Sequence, residues 1–184
     1  MGLDMYLKVN SKAVCKDALR AMNETDKWKE HYLFAGTAMY WRKANAIHKW
    51  FVDNVQHGED DCKMYEVSAN KLVELRDACK EVIANSKLVD GHVLSSYKFV
   101  GDEMVPQYDD GKVIEDASTA NRLLPTQDGF FFGTTEYNEW YLADLEYTAN
   151  AIQMMLEHTV GDGWEVTHES DPGWQVRFYY RSSW

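Results

Sequence analysis

Cysteine is scarce in this sequence, and its spacing excludes two common ways of holding a small domain together. The 184 residues include three cysteines, Cys15, Cys62 and Cys79, and no two of them form a CxxC pair. An odd number of widely spaced cysteines gives neither a disulfide framework nor a thiolate zinc site. A chain of this length buries enough surface to fold without such links. We therefore expect reduced thiols, and we predict neither a metal ion nor a cofactor.

Long apolar runs are also missing. The first ten residues, MGLDMYLKVN, include the charged Asp4 and do not have the apolar centre of a signal peptide. No stretch approaches the ~18 consecutive apolar residues that a membrane-spanning helix needs. The sequence therefore predicts a cytoplasmic protein that does not bind membranes.

Positive charge is in short supply, and this bears on the choice of partner. The chain has 19 basic and 30 acidic residues, which gives a formal net charge of -11. A face that binds duplex nucleic acid needs a lysine or arginine for each phosphate contact, so no duplex is expected as a partner. The acidic excess is typical of a soluble protein. It is also compatible with an acidic surface that mimics nucleic acid towards a basic host protein, and both interpretations stay open.

The familiar catalytic signatures are absent. The sequence contains no HExxH, GxSxG, Walker or GxGxxG motif and no kinase motif. Its six histidines form no HxH or HxxxH pair, so a metal site would have to be assembled across the fold. The sequence therefore favours a binding protein over an enzyme, and it assigns no catalytic residue.

Apolar periodicity, which is present, predicts an α+β fold. Leu3–Val9 alternates apolar and polar residues, as a half-buried strand does. Two shorter segments, Met64–Val67 and the paired runs around Asp171-Pro172-Gly173, predict a central strand and a C-terminal hairpin. The paired runs of that hairpin are Trp164–His168 and Trp174–Arg181. With no regular βαβ alternation, the expected architecture is a single domain over residues 1–184 with a mainly antiparallel sheet.

Three segments with helical spacing are expected to pack that sheet. They are Trp41–Val55, Ala69–Ala84 with an N-cap at Ser68, and Asn138–His158. Ser11–Met22 has the pattern of a shorter helix. Phe130 to Phe132, between Gly129 and Gly133, is expected to form a buried strand. Asp90–Asn121 has no clear pattern and is predicted to be a long loop.

The first candidate site is the segment WRKANAIHKWF. On a helix, Trp41, Asn45 and His48 would share one face, with Arg42 and Lys49 beside it. Arginine and lysine bind phosphate or carboxylate groups, tryptophan offers a stacking plane, and histidine can transfer a proton near neutral pH. The alternative is an ordinary amphipathic helix with a packed tryptophan and solvated charges.

The second candidate site lies where the predicted phenylalanine strand meets the last long helix. Thr134, Thr135 and Asn138 fall at this junction, where free backbone N–H groups at a helix start can bind an anion. The same residues can instead cap the helix internally. The sequence does not decide between these two roles.

The third candidate site is the polar face of the last predicted strand. Arg177, Tyr179 and Arg181 alternate with apolar residues and therefore share one side of the sheet. Two guanidinium groups flanking an aromatic ring suit an anion that carries a ring. An exposed sheet face with no ligand is the alternative.

Four blocks of the sequence, MGLDMYL, YWRKANAIHKWFVDNVQ, LLPTQDGFFFGTTEYNEWYL and FYYRSSW, resemble a family of uncharacterised proteins. Proteins of this family are encoded by phages and by bacteria that carry phage-like regions. The resemblance implies a cytosolic, phage-associated accessory protein. It supplies no activity and no catalytic residue.

These observations give one leading functional hypothesis and two alternatives. The leading hypothesis is a protein that binds a small anionic ligand with a ring, such as a nucleotide or a nucleotide-derived signal, and so counters a host defence. The first alternative is an acidic inhibitor of a basic host protein, suggested by the runs Glu59–Asp61 and Asp109–Asp116. The second is a nucleotide-processing enzyme with His48 as acid or base. A homo-oligomer is compatible with each of them.

Overall fold

A four-stranded antiparallel sheet and a separate two-stranded hairpin make up the β structure of the described chain. The computed structural model describes residues 2–9, 36–160 and 178–184. The strands are β1 (Asp4–Val9), β2 (Thr37–Arg42), β3 (Tyr65–Val67), β4 (Leu88–Val100), β5 (Glu103–Ile114) and β6 (Phe178–Ser183). The helices are α1 (Asn45–Asn54), α2 (Ala69–Ala84), α3 (Ser118–Leu123) and α4 (Glu139–Val160). The predicted α+β class with an antiparallel sheet is confirmed.

The main sheet has the strand order β2-β1-β6-β3, and every neighbouring pair is antiparallel. Met5 and Leu7 of β1 are fully buried, as the alternation of this segment predicts. Phe178 and Tyr180 of β6 are buried beside them. Of the predicted C-terminal hairpin, Trp164–His168 and the Asp171-Pro172-Gly173 turn lie outside the described residues.

The two long helices, α2 and α4, lie where the sequence predicts them. Ser68 accepts a hydrogen bond from the backbone N–H of Lys71 at 3.3 Å, which caps α2 at its start. The apolar stripes of α2 and α4 are buried against the sheet and against each other, apart from a half-buried Ile83. The buried positions are Leu72, Leu75, Cys79, Val82, Leu142, Leu145, Ala149, Ile152 and Leu156. None of the described helices is long and apolar enough to cross a membrane. The predicted helix Ser11–Met22 lies outside the described residues.

The predicted helix Trp41–Val55 is wrong at its beginning. Trp41 and Arg42 are the last residues of β2, where they pair with Met5 and Asp4 of β1. Lys43 then takes a positive φ of 61°, and α1 begins only at Asn45. The residues of β2 alternate between buried and half-buried or exposed positions, and pairing with β1 outweighs the helical spacing at this end of the segment.

The predicted loop Asp90–Asn121 is also wrong, because most of it forms the β4–β5 hairpin. The strands pair from Leu88↔Ile114 to Val100↔Glu103, and Gly101 takes a positive φ of 65° in the turn between them. Beyond Val93 the hairpin is largely exposed on both faces. No buried side therefore imposes the apolar alternation by which a strand is recognised in sequence.

The predicted strand at Phe130 to Phe132 is a turn. The backbone N–H of Phe132 donates to the Gly129 carbonyl at 3.0 Å, which closes the turn. Phe132 is buried, whereas Phe130 is 95% exposed. An apolar run bounded by glycines does not distinguish a buried strand from a turn that buries only one of its rings.

Candidate functional site

An open cavity of about 860 Å³ is formed where four parts of the chain meet. These parts are the end of β2, the loop that precedes α4, the first turns of α4 and the hairpin. The residues that determine its chemistry are Arg42, Lys43, Tyr97, Tyr108, Asp128, Phe130, Glu136, Trp140 and Asp144. Cations, aromatic rings and carboxylates therefore face one space.

The positive charge of the cavity comes from the turn between β2 and α1. Arg42 and Lys43 are adjacent and exposed, and both line the cavity. Gly133 lies against this turn, and a Cβ atom there would meet the Lys43 Cβ at 3.3 Å. No described residue forms an ion pair with either cation. Both side chains are therefore available to an anionic ligand.

The aromatic walls come from the hairpin and from α4. Tyr97 and Tyr108 reach the cavity from the two strands of the hairpin, and Trp140 reaches it from the first turn of α4. Tyr97 is 56% exposed and Trp140 is 67% exposed. Exposed rings that border a cavity offer flat apolar faces on which a planar ligand can stack.

Asp144 is the most perturbed carboxyl group in the cavity. Its side chain is half-buried, and burial raises its pKa to about 7. No described residue donates a hydrogen bond to this carboxylate. The group therefore changes its charge near neutral pH, and its oxygens remain free to accept hydrogen bonds from a ligand.

Two carboxylates near the start of α4 fix the hairpin as a wall of the cavity. Glu136 accepts a hydrogen bond from the backbone N–H of Leu94 at 2.9 Å, and Glu139 accepts one from that of Lys112 at 3.3 Å. The backbone N–H of Ile114 donates to the Tyr137 carbonyl at 2.9 Å. These contacts hold the part of the hairpin that contains Leu94, Lys112 and Ile114 against the rest of the fold.

The structure does not bring the predicted helical face together. Trp41 is 2% exposed, and its indole N–H donates to the Thr148 hydroxyl at 2.8 Å. Lys49 forms an i,i+4 ion pair with Asp53 at 2.9 Å. Neither residue lines the cavity. The tryptophan is therefore packed and the lysine is solvated, as the amphipathic-helix alternative proposed.

His48 belongs to a buried polar cluster rather than to the cavity. Its Nδ1 lies 2.7 Å from the Tyr180 hydroxyl and its Nε2 lies 3.0 Å from Asp60 Oδ2. The indole N–H of Trp184 donates to the other Asp60 oxygen at 3.0 Å. Burial lowers the pKa of His48, against the opposing effect of Asp60. Both ring nitrogens are occupied, so this histidine joins α1 to β6 and has no free position for a substrate.

Asn45 lines the cavity, but its amide is used internally. Its Nδ2 donates to the carbonyls of Phe132 at 3.1 Å and Thr134 at 2.8 Å. Its Oδ1 accepts from the backbone N–H of Gln127 at 3.1 Å. Asn45 therefore fastens the loop that carries the cavity wall.

The second predicted site also lies at the cavity, in a structural role. Asn138 Oδ1 accepts from the backbone N–H groups of Trp140 at 3.0 Å and Tyr141 at 3.1 Å. Thr134 Oγ1 accepts from the backbone N–H of Glu136 at 3.2 Å, and the Thr135 carbonyl accepts from Thr126. Asn138 therefore caps α4 internally and occupies two of its N–H groups, whereas Glu136 and Glu139 bind the hairpin.

The third predicted site is separate from the cavity. Tyr179 and Arg181 lie on β6, opposite Lys8 and Tyr6 of β1. Tyr179 is half-buried and Arg181 is exposed, and neither lines the cavity. Arg177 lies outside the described residues.

Sequence reasoning missed the aromatic and acidic residues of the cavity. Tyr97 and Tyr108 fall in the segment predicted to be a loop, so no pattern placed them on one surface. Trp140 and Asp144 lie four residues apart on α4 and off its apolar stripe, which is a readable sign of a shared exposed side. A helix would carry Lys43 on the side opposite Trp41, Asn45 and His48, so the helical pattern gave no sign of its place at the cavity.

Comparison with known proteins gives no match. No family model matches this chain, and no curated protein and no solved structure matches it. Within residues 2–9, 36–160 and 178–184, no group of three or more histidine, cysteine or acidic residues is arranged to hold a metal ion.

Proposed function

We propose that this protein binds a small molecule in which a flat ring is joined to an anionic group, such as a nucleotide or a nucleotide-derived signal. The observation that carries the proposal is the cavity of about 860 Å³, in which two unpaired cations face exposed aromatic rings. Ligand pockets in proteins commonly have volumes of about 300–1,000 Å³. This cavity is therefore large enough for a nucleotide.

Each part of such a ligand has a counterpart in the cavity. Arg42 would contact a phosphate or carboxylate through two N–H groups, and Lys43 would add a compact positive charge. The ring would stack on Tyr97 or Trp140. Hydroxyl or amino groups on the ligand would donate to Asp144, which has no hydrogen-bond donor among the described residues.

The acidic residues of the cavity should make ligand binding selective. Asp128, Glu136 and Asp144 line the same space as the two cations, in a protein with a net charge of -11. A bare anion would be repelled by these groups. A ligand that adds a stacking ring and hydrogen-bond donors gains contacts that offset the repulsion. We therefore expect much weaker binding of inorganic phosphate than of a nucleotide.

The biological setting of the proposal comes from the resemblance to phage-encoded proteins. In a phage-associated accessory protein acting in the cytoplasm, binding alone would remove a host defence signal. Catalysis is not needed for this role. The enclosed position of His48, with both nitrogens hydrogen-bonded, gives no support to an enzyme that uses this residue as acid or base.

The acidic-inhibitor alternative receives less support from the geometry. In the run Glu59–Asp61, Asp60 accepts from His48 and Trp184, and Asp61 accepts from Lys63 and Tyr65. Carboxylates held by internal partners are poor copies of a row of free phosphates. We therefore place ligand binding first.

Thermal unfolding in the presence of a ligand panel tests the proposal. The panel is inorganic phosphate, adenosine, ADP, ADP-ribose and cyclic dinucleotides. A ligand present at about 100 times its dissociation constant should stabilise the protein by roughly 2.7 kcal/mol. Replacement Arg42→Ala should remove the stabilisation, whereas Arg181→Ala, an exposed arginine away from the cavity, should retain it. If no member of the panel shifts the transition, the proposal is wrong.

A further inference from the structure

The outer part of the hairpin exposes a large apolar surface. Beyond Leu94 the two strands pair only with each other among the described residues. Phe99 is 70% exposed and Met104 is 59% exposed, although both are apolar. A two-stranded ribbon is only marginally stable in water without something to pack against. The outer hairpin therefore has the character of an uncovered surface.

The apolar residues share one face of the ribbon, which we name the hairpin face. The register pairs Leu94 with Tyr108, Tyr97 with Pro106 and Phe99 with Met104, and cross-strand partners point to the same side. These six residues are all uncharged. The charged residues Lys98 and Glu103 alternate with them and therefore point to the opposite side. The hairpin face itself therefore carries no charge, although the whole chain has a net charge of -11.

The hairpin face continues into the cavity. Leu94, Tyr97 and Tyr108 belong to the face and also line the cavity, beside the exposed rings of Phe130 and Trp140. Taking ~200 Å² for a large side chain, Tyr97, Phe99, Met104, Tyr108, Phe130 and Trp140 together expose roughly 800 Å² at their observed exposures. Stable protein interfaces bury about 800 Å² on each partner. The patch therefore has the area that a dimer needs.

We infer that a second copy of this chain packs on the hairpin face, with the two faces in contact about a two-fold axis. With the axis along the ribbon, β4 of one copy would lie over β5 of its partner, so Tyr97 and Phe99 would meet Pro106 and Met104, which lie at the same levels of the register. Neither hairpin face brings a charge into the contact. The partner hairpin would also cover the open side of the cavity. Edge-to-edge pairing through β5 is disfavoured because Pro106 has no N–H to donate.

Two adjacent residues of β4 provide the test. Phe99 lies on the hairpin face and Val100 on the reverse face, and both are exposed. The mass in solution is measured by analytical ultracentrifugation for the wild type, Phe99→Lys and Val100→Lys. The wild type and Val100→Lys should have twice the chain mass of 21.3 kDa. Phe99→Lys should weaken the dimer roughly 30-fold or more. Circular dichroism checks that both variants are folded.

The salt dependence of association distinguishes a second copy of this chain from a basic protein as the partner. Two chains of charge -11 repel each other, so the dimer should strengthen as salt screens that repulsion. A complex with a basic protein would weaken instead. A wild-type monomer at both low and high salt, or a dimer that Phe99→Lys leaves intact, overturns the inference. The measurement uses no ligand, so its result is independent of nucleotide binding.

Discussion

The buried cluster around His48 and the open cavity around Arg42 are both polar, yet they differ in how their polar groups are satisfied. In the cluster, His48 uses both ring nitrogens, on Tyr180 and Asp60. In the cavity, no described residue pairs with Arg42 or donates to Asp144. A buried polar group with all its partners stabilises a fold, whereas a charged group without partners at a cavity is available to a ligand. Measurements of stability and of ligand affinity distinguish these two kinds of site.

Removal of His48 should have the largest effect on stability. Replacement His48→Ala leaves a void and leaves the Tyr180 hydroxyl without its partner, so we expect a loss of about 3 kcal/mol in the free energy of unfolding. Urea denaturation measures this change. The neighbouring Lys49→Ala, on the solvated side of α1, should change the free energy by less than about 0.5 kcal/mol. Equal effects of the two replacements would show that the cluster is not structural.

Removal of the Asp144 charge should stabilise the protein. Its pKa is raised in the folded state to about 7, so ionisation favours the unfolded chain as pH rises from the unfolded value of 3.8 to about 7. Because the Asp144 side chain is only half-buried and solvent screens its charge, replacement Asp144→Asn should raise the free energy of unfolding by about 1–2 kcal/mol at a pH above 7. The gain should fade as the pH falls towards 3.8. Urea denaturation as a function of pH measures it, and a loss of stability above pH 7 would contradict the assignment.

His48 should give a pH dependence of the opposite sign. Its pKa is lowered in the folded state below the ordinary 6.5, so its contribution to stability is complete above pH 6.5 and is lost as the pH falls below that value. We expect a loss of about 1.4 kcal/mol per pH unit at most. The difference between the pH–stability curves of wild type and His48→Gln isolates it. A difference that grows above pH 7 would be inconsistent with a neutral buried histidine.

Ligand affinity should depend weakly on pH through Asp144. The charged groups that share the cavity with it are Arg42, Lys43, Asp128 and Glu136. An ionised Asp144 adds negative charge beside an anionic ligand, whereas a protonated Asp144 still accepts a hydrogen bond through its carbonyl oxygen. Binding should therefore be tighter near pH 6 than near pH 8 by about fivefold, or ~1 kcal/mol. Calorimetric titration with the ligand that gives the largest thermal shift checks this. Replacement Asp144→Asn should flatten the profile, and an unchanged slope would exclude Asp144 from the site.

The sequence predicted those elements of the fold that bury one side. β1, α2 and α4 follow their apolar periodicity, because a buried face imposes the 2.0 or 3.6 residue period. The hairpin escaped detection because Tyr97, Phe99 and Met104 are exposed although apolar. The hairpin sequence therefore has no apolar alternation imposed by burial. For the same reason, the sequence did not predict that Tyr97 and Tyr108 line the cavity.

The candidate site was predicted in part, and the reason lies in a single turn. Arg42, Asn45, Thr134, Thr135 and Asn138 do line the cavity. Trp41, His48 and Lys49 do not, because the chain changes from strand to helix at Lys43. Tyr179 and Arg181 do not, because they lie on β6, away from the cavity. In a strand Trp41 and Arg42 point to opposite sides, so one enters the core and the other the cavity. Periodicity alone does not locate such a change of structure.

The most direct test of ligand binding compares two tryptophans. Trp140 lines the cavity, whereas Trp41 is buried and its indole N–H donates to Thr148. A ¹H–¹⁵N NMR titration with ADP, ADP-ribose and cyclic dinucleotides follows both resonances, assigned with the variants Trp140→Phe and Trp41→Phe. Binding in the cavity predicts that Trp140 shifts with added ligand and that Trp41 stays in place. A titration in which Trp140 does not respond to any of these ligands would contradict the proposed site.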